Sequence, residues 1–369
     1  MSNEHWFDGW KDKWLPRGPG DAPGGEVDPP PDPPDGDTFA ETRAVRLAPG
    51  ALTDTIATAL VLPFDLTDAI LATTANGGES LQDGLDLRFA MSETPLVPHV
   101  LRSYTAKKGG LTGWGRLPAG QGPDGLEFNL LVGNAVVDPQ PFPTGTWSGY
   151  SFVNLADGSD DVAGRDLTLQ SGVSAGSHFD SIDFDGAGGI AVVADSDFLD
   201  GVATETWIVW VDGDASMANT SRGFVVEGNL AEFGQSGRLW RNRPASEDSL
   251  FIGAWRTGGW TDWKGPVGSS INGPQTIVAN YNSGSPITVM IEGVTVAPVS
   301  STTSTGNLRT WGNDFALGRG STETAGSQSW LGSVMVQVRV DWPCLEPEAL
   351  LLARMLYHGD PWQIGRAHV

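Results

Sequence analysis

The segment Thr206-Trp-Ile-Val-Trp-Val211 limits the possible folds of this chain more than any other part of the sequence. Every residue after the threonine is large and apolar, and β-branched and aromatic side chains favour extended strands. Because neighbouring residues of a strand point to opposite faces, both faces of this strand are apolar and both need cover. The sequence therefore predicts a central strand that is buried between two layers of a β-domain.

Short strand patterns separated by turn residues continue along most of the chain. Leu85–Phe89 alternates apolar and polar residues, and so does Val334–Val340, which predicts a strand with one buried face. Glu292-Gly293 lies between two apolar runs and predicts a tight hairpin. After the strand patterns, Glu346–Tyr357 has the pattern of a short helix. The 49 glycines and 25 prolines argue against a helical bundle, so we expect an all-β fold of two β-sandwich domains with a short C-terminal helix.

Composition divides the chain into four segments. Residues 1–18 are rich in aromatic side chains, and residues 19–37 form a linker rich in proline and aspartate. Proline favours the extended polyproline II conformation, so this linker is a semi-rigid spacer. Residues 38–142 carry several short strand patterns and predict a small β-sandwich. Residues 143–369 carry the stronger strand patterns and the helix, and they predict a second β-domain.

The first segment suggests a docking peptide. Trp6, Trp10 and Trp14 are four residues apart, which places them on one face of a short helix, and Phe7 adds a further ring. Aromatic side chains contribute much of the binding energy at protein interfaces. We therefore expect these four residues to dock the chain into a larger body. A tail that folds back onto its own domain is the alternative.

The charge balance excludes two classes of partner. Acidic residues outnumber basic ones by 45 to 22, and the formal net charge of −23 repels nucleic acid and anionic membranes. No run approaches the roughly 20 apolar residues of a membrane span. The sequence starts without a basic region followed by an apolar core, so we expect no secretory signal and synthesis in the cytoplasm. The single cysteine, Cys344, permits no intrachain disulfide and no cysteine-based metal cluster.

A dense group of aromatic and polar residues in the second domain is the candidate ligand site. It consists of Trp255, Arg256, Trp260, Asp262 and Trp263. Flat rings stack on the C–H faces of sugars while charged groups hold the hydroxyls, so this group predicts a glycan-binding loop. Two alternatives remain open: the tryptophans pack in the domain core, or they lie against a neighbouring subunit. The basic stretch Arg238–Arg243 either meets an acidic glycan, pairs with acidic loops or forms a solvated strand edge.

Catalysis finds little support in the sequence. A glycosidase needs two carboxylates that flank the scissile bond, and the nearest approach to such a pair is Asp183 and Asp185, which we interpret as turn and edge residues. The five histidines are scattered, and no nucleophile elbow is present. We therefore expect a chain that is not an enzyme and that has no cofactor.

Calcium binding stays open, because loop carboxylates are preferred Ca²⁺ ligands. The loop aspartates of this kind are Asp157, Asp160 and Asp161, and the candidate ligands are Asp195, Asp197 and Asp200.

A series of motifs runs in order through the second domain. They are Phe184-Asp-Gly186, the strand Thr206–Val211, the hairpin Ile291-Glu-Gly-Val294, Leu317-Gly-Arg319 and Trp330-Leu-Gly-Ser-Val334. Together they resemble the laminin-G/concanavalin-like jelly-roll family. The end of the chain, Leu350–Ile364, looks like the tail of such domains in tailed-phage proteins. The resemblance implies a concanavalin-like jelly roll with a binding or structural role.

The first domain has motifs of its own. They are Leu62–Thr67, Leu85–Phe89, Leu96–His99 and Phe128–Asn134. These resemble a small β-domain of unknown function that often precedes such jelly rolls, although Leu131-Val132 stands where a tyrosine usually precedes glycine-asparagine.

Both resemblances imply a virion structural protein of a tailed bacteriophage or phage-like particle. The chain would be an appendage on the virion surface, either a capsid decoration, a head fibre or a tail fibre. It would bind other virion proteins through residues 1–18, form a homo-oligomer and offer a surface to host polysaccharide. The alternatives are an extracellular lectin-like protein or degenerate glycosidase, and an internal assembly protein of the particle.

Overall fold

The structure is a computed structural model. It describes residues 41–47, 52–80, 84, 86–91, 97–122, 127–133, 145–176, 178–193, 202–217, 222–227, 238–243, 248–308, 314–319, 329–340, 343–358 and 362–364. Three predictions lie outside the described residues and stay predictions: the docking peptide 1–18 with its four aromatic residues, the linker 19–37, and the calcium candidates Asp195, Asp197 and Asp200. Within the described part, no helix combines the length and the apolar composition that a membrane crossing requires.

Strands make up most of the described secondary structure. In chain order they are β1 (Glu41–Leu47), β2 (Leu60–Thr67), β3 (Arg88–Ala90), β4 (His99–Thr105), β5 (Gly110–Leu117), β6 (Glu127–Val132), β7 (Tyr150–Val153), β8 (Thr168–Leu169), β9 (Val173–Ala175), β10 (Ile182–Asp185), β11 (Ala191–Val193), β12 (Thr204–Gly213), β13 (Gly223–Glu227), β14 (Arg238–Asn242), β15 (Leu250–Arg256), β16 (Gly259–Lys264), β17 (Pro274–Asn282), β18 (Thr288–Ile291), β19 (Val294–Thr295), β20 (Ser300–Thr302), β21 (Phe315–Leu317), β22 (Leu331–Arg339) and β23 (Trp362–Ile364). The α-helix is α1 (Glu346–His358), and short 3₁₀ turns lie at Ala69–Leu71, Thr74–Asn76 and Ala215–Met217.

The first domain is a small β-sandwich. Its four-stranded sheet has the order β23-β1-β6-β3, and its three-stranded sheet has the order β2-β5-β4. Side chains from the two sheets meet between them, where the ring of Phe89 lies 4.9 Å from that of Phe64 and 6.2 Å from that of Phe128. His99 is buried beside Phe89, and burial lowers its pKa to about 4. The imidazole is therefore neutral at pH 7 and serves as a core side chain.

The second domain is a larger sandwich of two antiparallel eight-stranded sheets. The sheet that faces the first domain, here the inner sheet, has the order β19-β18-β17-β12-β22-β10-β9, with β7 also paired to β22. The outer sheet has the order β20-β16-β15-β14-β13-β21-β11-β8. Between them lies an apolar core, in which the Trp207 ring is 6.0 Å from that of Trp240 and 5.9 Å from that of Phe315. The predicted all-β fold of two sandwiches with a short helix is confirmed.

Strand β12 holds the central position that its composition predicts. It pairs with β17 on one side and with β22 on the other. Trp207, Val209 and Val211 point into the sandwich core, and Ile208 and Trp210 belong to apolar clusters on the opposite face. All five are at most 4% exposed, so the prediction of a strand buried between two layers is confirmed.

Strand β22 differs from its prediction. Its valines fill the sandwich core, as the alternation indicates. The residues between them do not face solvent, because Met335 and Gln337 are both 0% exposed. The reason is that the first domain and α1 cover this face of the inner sheet: Met335 packs in one cluster with Val61 of β2 and Leu356 of α1.

The helix that the sequence predicts at Glu346–Tyr357 is α1, and it lies between the two domains. The carboxylate of Glu348 is 1% exposed and accepts hydrogen bonds from the backbone N–H groups of Ala57 (3.1 Å) and Thr58 (3.3 Å) in the first domain. Cys344, which precedes the helix, is also buried, and burial raises the pKa of its thiol. The helix therefore joins the domains through apolar packing and buried hydrogen bonds.

The C-terminal strand completes the first domain. β23 pairs antiparallel with β1, with Val45 opposite Ile364. The sequence pattern assigns this part of the chain to segment 143–369, and no local feature indicates that it pairs with β1. The segment limits themselves stay a prediction.

Candidate functional site

The candidate ligand segment is a β-hairpin rather than the predicted loop. β15 and β16 pair antiparallel, with Trp255 opposite Trp260 and Arg256 opposite Gly259, so that only Thr257 and Gly258 form the turn. Side chains in paired strands alternate between the two faces of the sheet. The hairpin therefore splits the predicted site residues into an inward and an outward group.

Arg256 and Trp263 belong to the inward group, and both are 0% exposed. A guanidinium N–H of Arg256 donates to the carbonyl oxygens of Gly306 (2.9 Å) and Ala203 (3.3 Å). The indole N–H of Trp263 donates to the carbonyl oxygen of Val296 at 3.2 Å. These contacts hold the sandwich together, which corrects the assignment of Arg256 and Trp263 to a surface site and places Trp263 in the core.

Trp255, Trp260 and Asp262 form the outward group, and each is half-buried. The two indole rings are 6.0 Å apart and inclined by 48°. The Trp260 indole N–H donates to one Asp262 carboxylate oxygen at 3.1 Å, and the other oxygen accepts the backbone N–H of Thr302 at 3.0 Å. Asp262 therefore orients the Trp260 ring and ties strand β20 to the hairpin.

Gly253 explains how the Trp260 ring lies against the sheet. A Cβ atom at this position would come within 2.2 Å of the six-membered ring of Trp260, so any larger residue would displace the indole. The Trp260 ring is nearly parallel to that of Phe251, with 11° between the planes and 6.4 Å between the centroids. Glycine in the strand thus permits close approach of a ring to the backbone.

Two arginines extend this aromatic surface. The guanidinium carbons of Arg241 and Arg243 lie 5.5 Å and 5.4 Å from the centroid of the Phe251 ring, which is cation–π distance. We call Arg241, Arg243, Phe251, Trp255 and Trp260 the aromatic–arginine platform. In the sequence the arginines and the tryptophans stand apart as separate features, and Phe251 was not predicted to be part of the site. Alternation along β15, counted back from the outward Trp255, is the signal that identifies it.

Cationic side chains lie at the platform of an otherwise acidic protein. Arg241 and Arg243 carry two positive charges, and Lys264, opposite Phe251 in the hairpin, adds a third. The whole chain, in contrast, carries a net charge of −23. Cationic side chains attract anions locally even where the molecule as a whole repels them. The platform therefore combines flat rings with positive charge.

Among the aspartates weighed for catalysis and calcium, those that the structure describes have structural partners. Asp183 accepts a hydrogen bond from the Ser333 hydroxyl, and Asp185 accepts the backbone N–H of Ala187 at 2.8 Å. Asp160 accepts hydrogen bonds from several backbone N–H groups of its own loop. Across the described ranges, no group of three or more His, Cys, Asp or Glu side chains is placed to hold a metal ion.

A second polar cluster joins the two domains. The Arg102 guanidinium contacts the carboxylates of Asp161 (2.7 Å) and Asp180 (3.0 Å). The Trp114 indole N–H donates to the same Asp180 oxygen at 2.7 Å, and the Trp147 indole N–H donates to Asp161. We call these five residues the interdomain clamp. Burial raises the pKa of Asp180, although Arg102 and Trp114 both favour its charged form.

The interdomain clamp was not predicted from the sequence. Arg102 is 59 residues from Asp161 and 78 from Asp180, so no local spacing relates the three. Their proximity follows from the packing of the first domain against the second.

No protein-family model matches the chain, and no curated protein matches its sequence. Solved structures that are similar to it include the botulinum neurotoxin serotype D binding domain, with 8% identity and a TM-score of 0.41 over 55% of this chain and 51% of that chain. The serotype D ligand binding domain in complex with N-acetylneuraminic acid has 9% identity and a TM-score of 0.40 over 55% of this chain and 49% of that chain. The binding domain of Paraclostridial Mosquitocidal Protein 1 has 13% identity and a TM-score of 0.39 over 55% and 51%. The chain spans about half the length of these structures, and the likeness concerns β-sandwich architecture alone.

Proposed function

We propose that the chain is a non-catalytic glycan-binding protein that forms a surface appendage of a tailed bacteriophage or phage-like particle, as a capsid decoration, a head fibre or a tail fibre. The aromatic–arginine platform is the observation that carries the binding part of this proposal. The particle part is supported by the sequence, through the aromatic segment 1–18, the stiff linker 19–37 and the jelly-roll motifs. Synthesis in the host cytoplasm and assembly as a homo-oligomer belong to the same proposal.

The platform suits an acidic saccharide better than a neutral one. A sugar ring that lies on Trp255 or Trp260 removes its own C–H face and the aromatic face from water at once. A guanidinium group can donate two parallel hydrogen bonds to a carboxylate, and both Arg241 and Arg243 carry this group. Because both guanidinium groups lie over Phe251, they lose little freedom when a ligand binds.

We base the proposal that the protein is not an enzyme on the hydrogen bonds of its candidate catalytic carboxylates. Asp183 and Asp185 each accept a hydrogen bond from a neighbouring structural group. Asp262, the carboxylate beside the platform, has both oxygens engaged by Trp260 and Thr302. A retaining or inverting glycosidase needs a second carboxylate across the sugar bond, and the platform residues themselves are cationic or aromatic.

We expect the protein to bind acidic oligosaccharides more tightly than neutral ones of the same size. The Trp260→Ala substitution should weaken this binding up to about tenfold, since an aromatic contact contributes roughly 0.5–1.5 kcal/mol. The Arg243→Gln substitution should weaken binding of the acidic ligand but leave neutral ligands unchanged. Calorimetric titration of the full chain with matched acidic and neutral oligosaccharides measures both effects.

The control for charge is Lys107→Gln, which removes an exposed cation from the first domain and should leave binding unchanged. Gly253→Ala is the geometric control, because it keeps every platform side chain yet displaces the Trp260 ring. We expect this variant to lose affinity as Trp260→Ala does. Equal affinity of all variants, or no binding of any saccharide, would contradict the glycan proposal.

The particle part is tested by locating the protein in purified particles. We expect gold-labelled antibody to mark intact particles on their surface, and deletion of residues 1–18 to remove the label without unfolding either domain. Label that appears only after the particles are disrupted would favour the internal assembly protein. Protein that is found free in the medium and never in particles would favour the extracellular lectin-like alternative.

A further inference from the structure

An open cleft of about 640 Å³ lies at the junction of the two domains, away from the platform. Asp65, Ser103 and Thr112 line it from the three-stranded sheet of the first domain. Asp157 and Phe179 line it from loops of the second domain. Ligand pockets of a few hundred to about 1,000 Å³ hold small molecules, so this cleft has room for one or two sugar rings.

The charge in the cleft is negative. Its ionisable walls are Asp65, Arg102, Asp157 and Asp180, with His178 neutral because burial lowers its pKa. Arg102 is already bound to Asp180 and to Asp161 beyond it, so it does not neutralise the remaining acids. The walls thus attract a cation.

Asp65 is the carboxylate that lacks compensation. In the described part of the chain it has neither a hydrogen-bond donor nor a basic partner, and it is exposed on the cleft wall. Neighbouring atoms still desolvate the carboxylate enough to raise its pKa. A carboxylate without a basic partner gains from a ligand that brings a positive charge with it.

The other walls offer contacts for a sugar ring. The hydroxyl groups of Ser103 and Thr112 are hydrogen-bonded to each other at 2.6 Å and retain capacity for ligand hydroxyls. The half-buried Phe179 ring lies 5.8 Å from that of Trp114 and 4.6 Å from that of His178. Phe179 also has a φ of 42°, a left-handed conformation that is costly for a bulky residue. Such residues persist where the surrounding structure holds them, often at ligand sites.

We infer that this cleft is a second ligand site, which binds an amino sugar with its protonated amine at Asp65. The sugar ring lies against Phe179, and its hydroxyls reach Ser103, Thr112 and Asp157. The acidic cleft and the basic platform therefore accept saccharides of opposite charge. The inference does not depend on the platform, because the two sites share no residue.

Titration of the full chain with glucosamine and with N-acetylglucosamine tests this site. The two sugars have the same ring, but acetylation removes the positive charge. We expect glucosamine to bind and N-acetylglucosamine to bind at least about tenfold more weakly, since a charge-assisted hydrogen bond is worth that much. Equal binding of the two sugars, or no binding of either, would overturn the inference. n-Butylamine is the third probe: if it binds as tightly as glucosamine, the assignment to a sugar is wrong.

The Asp65→Asn variant keeps the shape of the side chain and removes its charge. We expect it to lower glucosamine affinity roughly tenfold, while Asp214→Asn, at an exposed aspartate that is not among the cleft residues, leaves it unchanged. Glucosamine affinity should fall as the pH falls through the raised pKa of Asp65, because only the ionised carboxylate attracts the amine. Trp260→Ala should retain glucosamine binding, so failure at one site does not imply failure at the other. Unchanged affinity in Asp65→Asn would overturn the assignment.

Discussion

Replacing Trp263 by alanine is expected to lower the free energy of unfolding by about 3–5 kcal/mol, the usual cost of truncating a buried tryptophan. Trp263 is 0% exposed, belongs to the core of the second domain and donates its indole N–H to Val296. Alanine would leave a cavity between the two sheets and an unmatched carbonyl oxygen. Denaturant unfolding followed by circular dichroism measures the loss.

Trp260→Ala is the matched control for this prediction. Both tryptophans lie on β16, but Trp260 is half-buried on the outer face, where it contacts Phe251 and Trp255. We expect its truncation to cost about 1 kcal/mol in stability and to act mainly on saccharide affinity. A similar loss of stability in the two variants would contradict the separation of the hairpin into a core face and a binding face.

The second large effect is expected at the interdomain clamp. Arg102→Met should lower the free energy of unfolding by about 3 kcal/mol at neutral pH, because it leaves the carboxylates of Asp161 and Asp180 close together without their shared cation. The side chains of these residues are 8–23% exposed, so we place the cost at the lower end of the range for buried ion pairs. Methionine retains most of the apolar stem of arginine, which limits the loss to the charge.

Arg116→Met is the control for the loss of an arginine at the same interface. The Arg116 guanidinium donates to the backbone carbonyl oxygens of Thr146 and Ser148. These acceptors carry no net charge, so losing their hydrogen bonds should cost less than exposing two carboxylates to each other. Adding Asp180→Asn to Arg102→Met should restore part of the stability. If the double variant is no more stable than Arg102→Met, charge repulsion is not the cause.

The loss of unfolding free energy in Arg102→Met should also become smaller as the pH falls through the raised pKa of Asp180, since the carboxyl then becomes neutral.

The sequence predicted those strands and turns whose burial or backbone conformation follows from their own residue types. Thr206–Val211 is apolar on both faces and is therefore central in any layered arrangement. Glu292-Gly293 adopts positive φ values of 52° and 76° and joins β18 to β19, as a tight hairpin requires. Strand β22 is a case in which the pattern does not predict burial, because Gln337 is polar yet buried. Alternation reports the composition of a face, but it does not report that a second domain covers that face.

The candidate sites illustrate the same limit. Alternation along Trp255–Trp263 is visible in the sequence, but the faces of its residues depend on a turn of two residues, Thr257 and Gly258. A longer turn would have changed which tryptophans share a face. The platform and the cleft then arise from strand pairing and domain packing, which bring Arg241 to Phe251 and the first domain to the loop of Phe179. The spacing of residues along the chain therefore predicts neither the platform nor the cleft.

The pairing of β1 with β23 has a consequence for the order of folding during synthesis. Val45 and its partner Ile364 are roughly 320 residues apart, and contacts of such separation form late because a long loop must close first. The two sheets of the second domain lie entirely between these strands in the chain, so that domain can fold on the ribosome before the first sheet acquires its edge. Until β23 emerges, β1 remains an open edge that a second nascent chain could pair with. Pairing with β23 therefore covers an edge of the first domain that would otherwise be exposed to aggregation.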